Sequence, residues 1–199
     1  MQLWLATSNR GKLIEFQTLL SKIEIHTQGE LKVFSPPDET GKTFEDNARL
    51  KARALKSVKT GVWVIGEDSG LEVDGLNKLP GIHSARYAGP NARDSENVAK
   101  LLKMMALRSA TNRKAQFQCC MVVYSPEGKE FVVNGQMTGN ISEKVRGTDG
   151  FGYDPIFIPD GETKTLAELG LTRKNQISHR AEAIRKLGAI FETNAASPL

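Results

Sequence analysis

The sequence predicts an α/β fold built on a mixed β-sheet with flanking helices. Two observations carry that expectation. Apolar strand-like runs alternate with helical patterns through the first half, and two alternating runs joined by a turn form a meander in the second half. A third observation sets the domain organisation: no linker, internal repeat or low-complexity tract interrupts the 199 residues, so one domain, 1–199, is expected.

The elements follow in order. Met1–Thr7 is apolar and bounded by a turn, which predicts a buried first strand. Ser8 or Asn9 then supplies an N-cap for an amphipathic stretch over Lys12–Leu20. Ile23–Thr27 alternates as a short strand should, and the tandem proline of Pro36–Gly41 excludes regular structure. Thr43–Lys59 is the clearest helix, because Phe44, Ala48, Ala52 and Leu55 form one apolar stripe. Val62–Gly66 reads as an interior strand that ends in Glu67-Asp68-Ser69-Gly70. Asp94–Leu107 is a second helix. Ala115–Tyr124 and Glu130–Gln136 are strands joined by the hairpin chemistry of Ser125-Pro126-Glu127-Gly128, and Thr138–Ser142 extends the sheet. Thr148–Asp154 is a glycine-rich loop, Thr165–Leu169 a short helix, and Ser178–Phe191 a last helix capped by Ser178.

Composition excludes several classes. With 39% hydrophobic and 25% charged residues the chain is neither disordered nor fibrous. No apolar run approaches the roughly 20 residues a membrane helix needs, and the N-terminus lacks a secretory pattern. The net charge of +4 is scattered, which suits an anionic small molecule and does not make the concentrated stripe of a nucleic-acid binder. Cys119 and Cys120 are adjacent, so a bridge between them would be strained, and they read as reduced strand residues of a cytoplasmic protein.

Five segments carry chemistry, each with a plainer reading beside it. Thr7-Ser8-Asn9-Arg10-Gly11-Lys12 spans a strand end and a helix start, where free amides and Lys12 attract phosphate; it is also what a simple helix cap with a surface lysine looks like. Glu67-Asp68-Ser69-Gly70 lies at an expected strand end, and adjacent carboxylates suit magnesium; an Asp-Ser-Gly turn is the other reading, since Leu71-Glu72-Val73 resumes alternation. Glu39, in the proline loop, gains interest from its company: a loop carboxylate and a strand-end carboxylate can share a metal. In Gly150-Phe151-Gly152-Tyr153-Asp154-Pro155 the aromatics either stack on a base or tuck into the core. Lys174-Asn175-Gln176-Ile177-Ser178-His179-Arg180 starts the final helix, and positive charge at that end is mildly unfavourable, which favours a functional reading. His26 reads as a surface strand residue and His83 as structural.

Taken together, Ser8-Asn9-x-x-Lys12-x-x-Glu15, Thr43-Phe44-Glu45-Asp46-Asn47-Ala48, Asp68-Ser69-Gly70-Leu71, Pro80-Gly81-Ile82-x-Ser84-Ala85-Arg86, Gly150–Pro155 and Ile177-Ser178-His179-Arg180 occur in this order. They closely resemble the inosine triphosphate pyrophosphatase family, the noncanonical purine NTP pyrophosphatases or XTP/dITP diphosphatases. The resemblance runs from Met1 to about Phe191 and leaves out the tail Ala195–Leu199. It implies an elongated mixed sheet, two lobes around a central cleft, a homodimer and a Mg²⁺ requirement. It also implies hydrolysis of ITP, dITP and XTP to the monophosphate and pyrophosphate.

By matching position, the resemblance assigns Thr7, Ser8, Asn9, Arg10, Gly11 and Lys12 to the triphosphate. Glu39 and Asp68 would hold the metal, with Asp68 also the catalytic proton acceptor. Ser69 would touch substrate, Phe151, Gly152, Tyr153, Asp154 and Lys174 would contact the nucleotide, and His179 and Arg180 would read the base. Glu67 departs from the family, whose bacterial members often have aspartate there. Two rivals are a Maf-like pyrophosphatase acting on modified pyrimidine triphosphates and a nucleic-acid-binding module. The second leaves Glu39 and Asp68 unexplained, because carboxylates repel phosphate unless a metal intervenes.

Overall fold

The computed structural model describes residues 1–108 and 111–195; the tail beyond Ala195 lies outside the described residues. Six strands form one sheet in the order β2-β1-β3-β4-β5-β6. They are β1 (Gln2–Ala6), β2 (Glu24–Thr27), β3 (Trp63–Val73), β4 (Lys114–Tyr124), β5 (Glu130–Ile141) and β6 (Phe157–Pro159). The helices are α1 (Arg10–Leu19), α2 (Phe44–Val58), α3 (Asp94–Leu107), α4 (Leu166–Ile177) and α5 (His179–Ala195). β1 pairs parallel with β2 and with β3, while β6 runs antiparallel to β5, so the sheet is mixed as expected.

The chain divides into two compact units. Unit 1 comprises Met1–Asp68, Cys119–Gly135 and the chain from Arg180 onward; unit 2 comprises Ser69–Gln118 and Gln136–His179. In unit 1, strand alternation sends side chains to opposite faces. Leu3 and Leu5 of β1 join Phe16 of α1, Trp63 and Ile65 of β3, and Ala183, Ile184 and Leu187 of α5. Trp4 and Ala6 face the other way, with Val64 and with Leu55 of α2. Cys119 packs with the first group and Cys120 with Ala48, Ala52 and Val122, so the adjacent thiols point to opposite faces of β4. Unit 2 has its own core, in which α3 (Val98, Leu101, Met105) covers Leu71 and Val73 of β3, Phe117 of β4 and Ile141 of β5.

Both cysteines are buried and unbridged. Burial pushes the Cys119 thiol well up and the Cys120 thiol to about 12. Neither should alkylate with iodoacetamide in the native protein at mildly alkaline pH, and both should alkylate in urea, because the thiolate is the reactive form. Mass spectrometry of the two samples checks this.

Helix α2 is where sequence and packing agree best. Thr43 caps it, accepting from the Asp46 amide at 3.0 Å, and the Asp46 carboxylate accepts from the Thr43 amide in return. Its stripe of Ala48, Ala52 and Leu55 is fully buried. The small residues matter because the helix backbone lies directly on β3. A Cβ at Gly66 would sit 2.1 Å from the Ala48 carbonyl oxygen and 2.4 Å from the Ala52 nitrogen. Gly66→Ala should therefore cost about 1–3 kcal/mol by overpacking, read as a lower midpoint in urea unfolding.

Three expectations change. β3 does not end at Gly66 but spans 11 residues, Trp63–Val73, running through Glu67-Asp68-Ser69-Gly70, so these carboxylates lie mid-strand rather than at a strand end or in a turn. The charges are tolerated inside a strand because cations meet them there, as described below. α4 is longer than Thr165–Leu169, because the chain resumes helix after a break at Gly170 (φ 76°) that only glycine adopts readily. His26 is not a simple surface residue: it stacks on Trp4 with ring centroids 4.9 Å apart and contacts Glu30 at 2.8 Å.

Candidate active site

In unit 1, four elements bring charge to one place. β1 ends at Ala6 and Asn9 caps α1, its side chain accepting from the Lys12 amide at 2.9 Å. The cap places Thr7, Ser8, Asn9, Arg10 and Gly11 around the helix start and sets Lys12 in the first turn. The Lys12 ammonium lies 2.6 Å from Glu67 Oε2 of β3, with Lys12 85% covered and Glu67 buried. The other carboxylate oxygen of Glu67 accepts from Arg180 at 3.0 Å and from the Cys119 thiol at 3.4 Å. Arg180 also donates to the buried carboxylate of Glu15, one turn beyond Lys12 on α1. Glu15, Glu67 and Arg180 are each at most 2% exposed. Burial raises the Glu67 pKa, but Arg180 and Lys12 outweigh it and hold the carboxyl well below its usual range. Burial likewise works against the Arg180 cation, and Glu67 and Glu15 outweigh that too.

The neighbouring residue of β3 faces different partners. The Asp68 carboxylate accepts from Lys51 Nζ at 2.8 Å through Oδ1 and from Asn47 Nδ2 at 3.3 Å through Oδ2. Lys51 and Asn47 are one turn apart on α2, and the close approach at Gly66 brings both within reach. Lys51 Nζ is also 2.5 Å from Glu39 Oε1 and 3.3 Å from the Glu67 carbonyl oxygen. Glu39 and Asp68 therefore converge on one cationic group. The fully buried Asn47 ties the two segments again, because its Oδ1 accepts from the Gly41 amide, two residues past Glu39, at 2.8 Å. Burial raises the Asp68 pKa, with Lys51 and Lys12 opposing, and the net direction is upward. Burial disfavours the Lys51 ammonium, but Asp68 and Glu39 together overcome this and raise its pKa.

The donor set Glu39, Asp68 and the Glu67 carbonyl consists of oxygens, which suits a hard cation such as magnesium. Magnesium commonly takes one or two protein carboxylates and completes its shell with water and substrate phosphate. Among the described residues no group of three or more His, Cys, Asp or Glu side chains is arranged to hold a metal.

Unit 2 holds the other expected residues. Ser69 follows Asp68 on β3 and is half-buried. Lys174 and Asp154 form a buried ion pair at 2.5 Å, and the Lys174 ammonium lies 4.2 Å from the centre of the Phe151 ring. Asp154 also accepts from the Phe151 amide at 3.0 Å, and this tight return needs glycine at 150, where a Cβ would lie 2.1 Å from Asp154 Oδ2. Gly152 donates its amide to Asp94 at the start of α3. Tyr153 is buried, its hydroxyl donating to the Ser84 carbonyl at 2.9 Å, so of the two aromatics Phe151 is the one left half-buried. His179 is buried and stacks on Phe117 at 4.8 Å with the rings 8° from parallel. His83 is exposed.

Sequence reasoning passed over Glu15, Glu67 and Lys51 as partners of the charged groups. The usable signal was helical spacing: Lys12 and Glu15 share one face of α1, and Asn47 and Lys51 share one face of α2.

The model of the Ham1 family matches residues 3–190. The chain belongs to the Ham1 family. It is 58% identical to the dITP/XTP pyrophosphatase of Bdellovibrio bacteriovorus over 93% of this chain and 94% of that one. It is 43% identical to the enzyme of that name from Bacillus licheniformis, over 94% and 96%. Among solved structures, the Staphylococcus aureus Ham1 protein matches with a TM-score of 0.86 at 40% identity, covering 98% of this chain and all of that one. A Coxiella burnetii HAM1 protein matches with a TM-score of 0.85 at 37% identity, over 97% and 99%. The α/β fold and the family expected from the sequence are thus both found.

Proposed function

We propose that this Ham1-family chain hydrolyses ITP, dITP and XTP to the nucleoside monophosphate and pyrophosphate, using Mg²⁺ held by Glu39 and Asp68. The observation that carries the metal part is the convergence of both carboxylates on a single cationic group. Bound magnesium would neutralise charge on the triphosphate. Asp68 would orient the attacking water and take its proton, a role that its raised pKa favours. Lys12, fixed by Glu67, and the amides at the start of α1 would bind phosphate oxygens.

In unit 2, Ser69, Phe151, Gly152, Tyr153, Asp154 and Lys174 would serve the nucleotide. Phe151 is the ring suited to stacking on the purine. His179 and Arg180 would read the 6-position, where hypoxanthine and xanthine present an acceptor and adenine a donor. Arg180 engages Glu15 and Glu67, so a contact to the base would draw on guanidinium hydrogens beyond those two. Residues 1–199 would act as one functional domain, working as a homodimer in the cytoplasm; no described helix is long and apolar enough to cross a membrane.

The test is pyrophosphate release from ITP, XTP, dITP, ATP and GTP with and without Mg²⁺. Release from the first three, dependent on the metal, is expected. Equal turnover of ATP, or turnover of modified pyrimidine triphosphates instead, would overturn the assignment.

A further inference from the structure

We infer that Lys51 and a divalent cation compete for one position between Glu39 and Asp68, so that Lys51 restrains metal loading until an anionic ligand arrives with the ion. The inference rests on the metal reading proposed above and goes beyond it. The Lys51 ammonium has three N–H donors and three oxygens around it: Glu39 Oε1 at 2.5 Å, Asp68 Oδ1 at 2.8 Å and the Glu67 carbonyl at 3.3 Å. The same three oxygens are the donor set a hard divalent ion would use. A unit positive charge and a doubly charged ion cannot share that cage, because at contact distance in a half-buried setting their repulsion is large.

The surroundings suit an exchange. Asp68 stays aimed when Lys51 leaves, because Asn47 holds its other oxygen. Asn47 also holds the segment after Glu39 through the Gly41 amide. An uncharged side chain thus positions the Asp68 carboxylate and the backbone just past Glu39, while the cation that bridges the two carboxylates sits on a flexible four-carbon stem. Lys51, like Lys12, is mostly covered but keeps 15% of its side-chain surface open to solvent, which leaves its ammonium a way out of the cage. A ligand carrying several negative charges would both attract the displaced ammonium and add oxygens to the incoming ion. Metal and polyphosphate would then bind with positive coupling, and weakly apart.

The experiment measures Mn²⁺ binding to the full chain by the electron paramagnetic resonance of free Mn²⁺, with and without tripolyphosphate. The wild type is compared with Lys51→Met, Lys51→Gln and Asp68→Asn, each checked for fold by circular dichroism. Removing the Lys51 charge is expected to tighten Mn²⁺ binding without tripolyphosphate by about tenfold or more and to shrink the gain that tripolyphosphate gives. Equal or weaker binding in both Lys51 variants, with binding still lost in Asp68→Asn, would overturn the competition and leave the metal reading standing. Binding that is indifferent to Asp68→Asn would overturn the metal reading itself. Acetic anhydride labelling of the wild type supplies a measurement that needs no variant: labelling of Lys51 should rise when Mn²⁺ alone is added in the cold at a saturating concentration, with no polyphosphate to re-engage the ammonium, and labelling that does not change counts against the exchange.

Discussion

Asp68→Asn should lower kcat for pyrophosphate release from ITP by roughly 10²–10⁴-fold, the range that a positioned proton acceptor contributes. The substitution keeps the shape of the side chain, and Asn47 still has an oxygen or amide to meet at 3.3 Å. Lys51 retains Glu39 at 2.5 Å. The fold should therefore survive, shown by an unchanged circular dichroism spectrum and a melting temperature within a few degrees of the wild type. Asp68 is buried beside two ammonium groups, so a small loss of stability is expected; a loss of fold is not. Near-normal turnover would remove Asp68 from the chemistry, whatever its neighbours.

Arg180→Ala should act in the opposite way, on stability first. Its guanidinium is 99% covered and lies between Glu15 and Glu67, both also buried. Deleting it takes the shared guanidinium from two buried carboxylates, while Lys12 still pairs with Glu67. Breaking a buried ion pair from one side costs about 3–5 kcal/mol, because the survivor stays desolvated. That is a large share of the roughly 5–15 kcal/mol by which a protein of this kind is stable. Urea unfolding measures it. At temperatures where the variant remains folded, its preference for ITP over ATP should also fall, since Arg180 is proposed to act at the purine 6-position. A stable variant would show that the Glu15–Arg180–Glu67 chain of charges is dispensable to the fold; an unchanged preference would remove Arg180 from selectivity.

The two variants separate two kinds of carboxylate that stand side by side on β3. Glu67 is consumed by Lys12, Arg180 and the Cys119 thiol, and so sets where two cations sit. Asp68 is held by contacts that an ion or a nucleotide could replace. The Glu67 side chain reaches across to α1 and Arg180 rather than toward Glu39.

The sequence by itself determined the periodic elements of this protein and their caps. The Ala48–Ala52–Leu55 stripe fixed the inner face of α2, a cap at Ser8 or Asn9 the approximate start of α1, and the turn at 125–128 the hairpin of β4 and β5. These depend on neighbours three or four positions away, or two along a strand, so local pattern suffices. The ordered motifs also carried the family. Only the tertiary structure decided that β3 runs unbroken through Glu67 and Asp68, that Arg180 closes on Glu15 from 165 positions away, and that Lys51 joins Glu39 to Asp68. The reason is electrostatic: a charge reads as exposed until its partner is known, and the partner that makes its burial tolerable is chosen by the packing of distant segments, not by any local pattern.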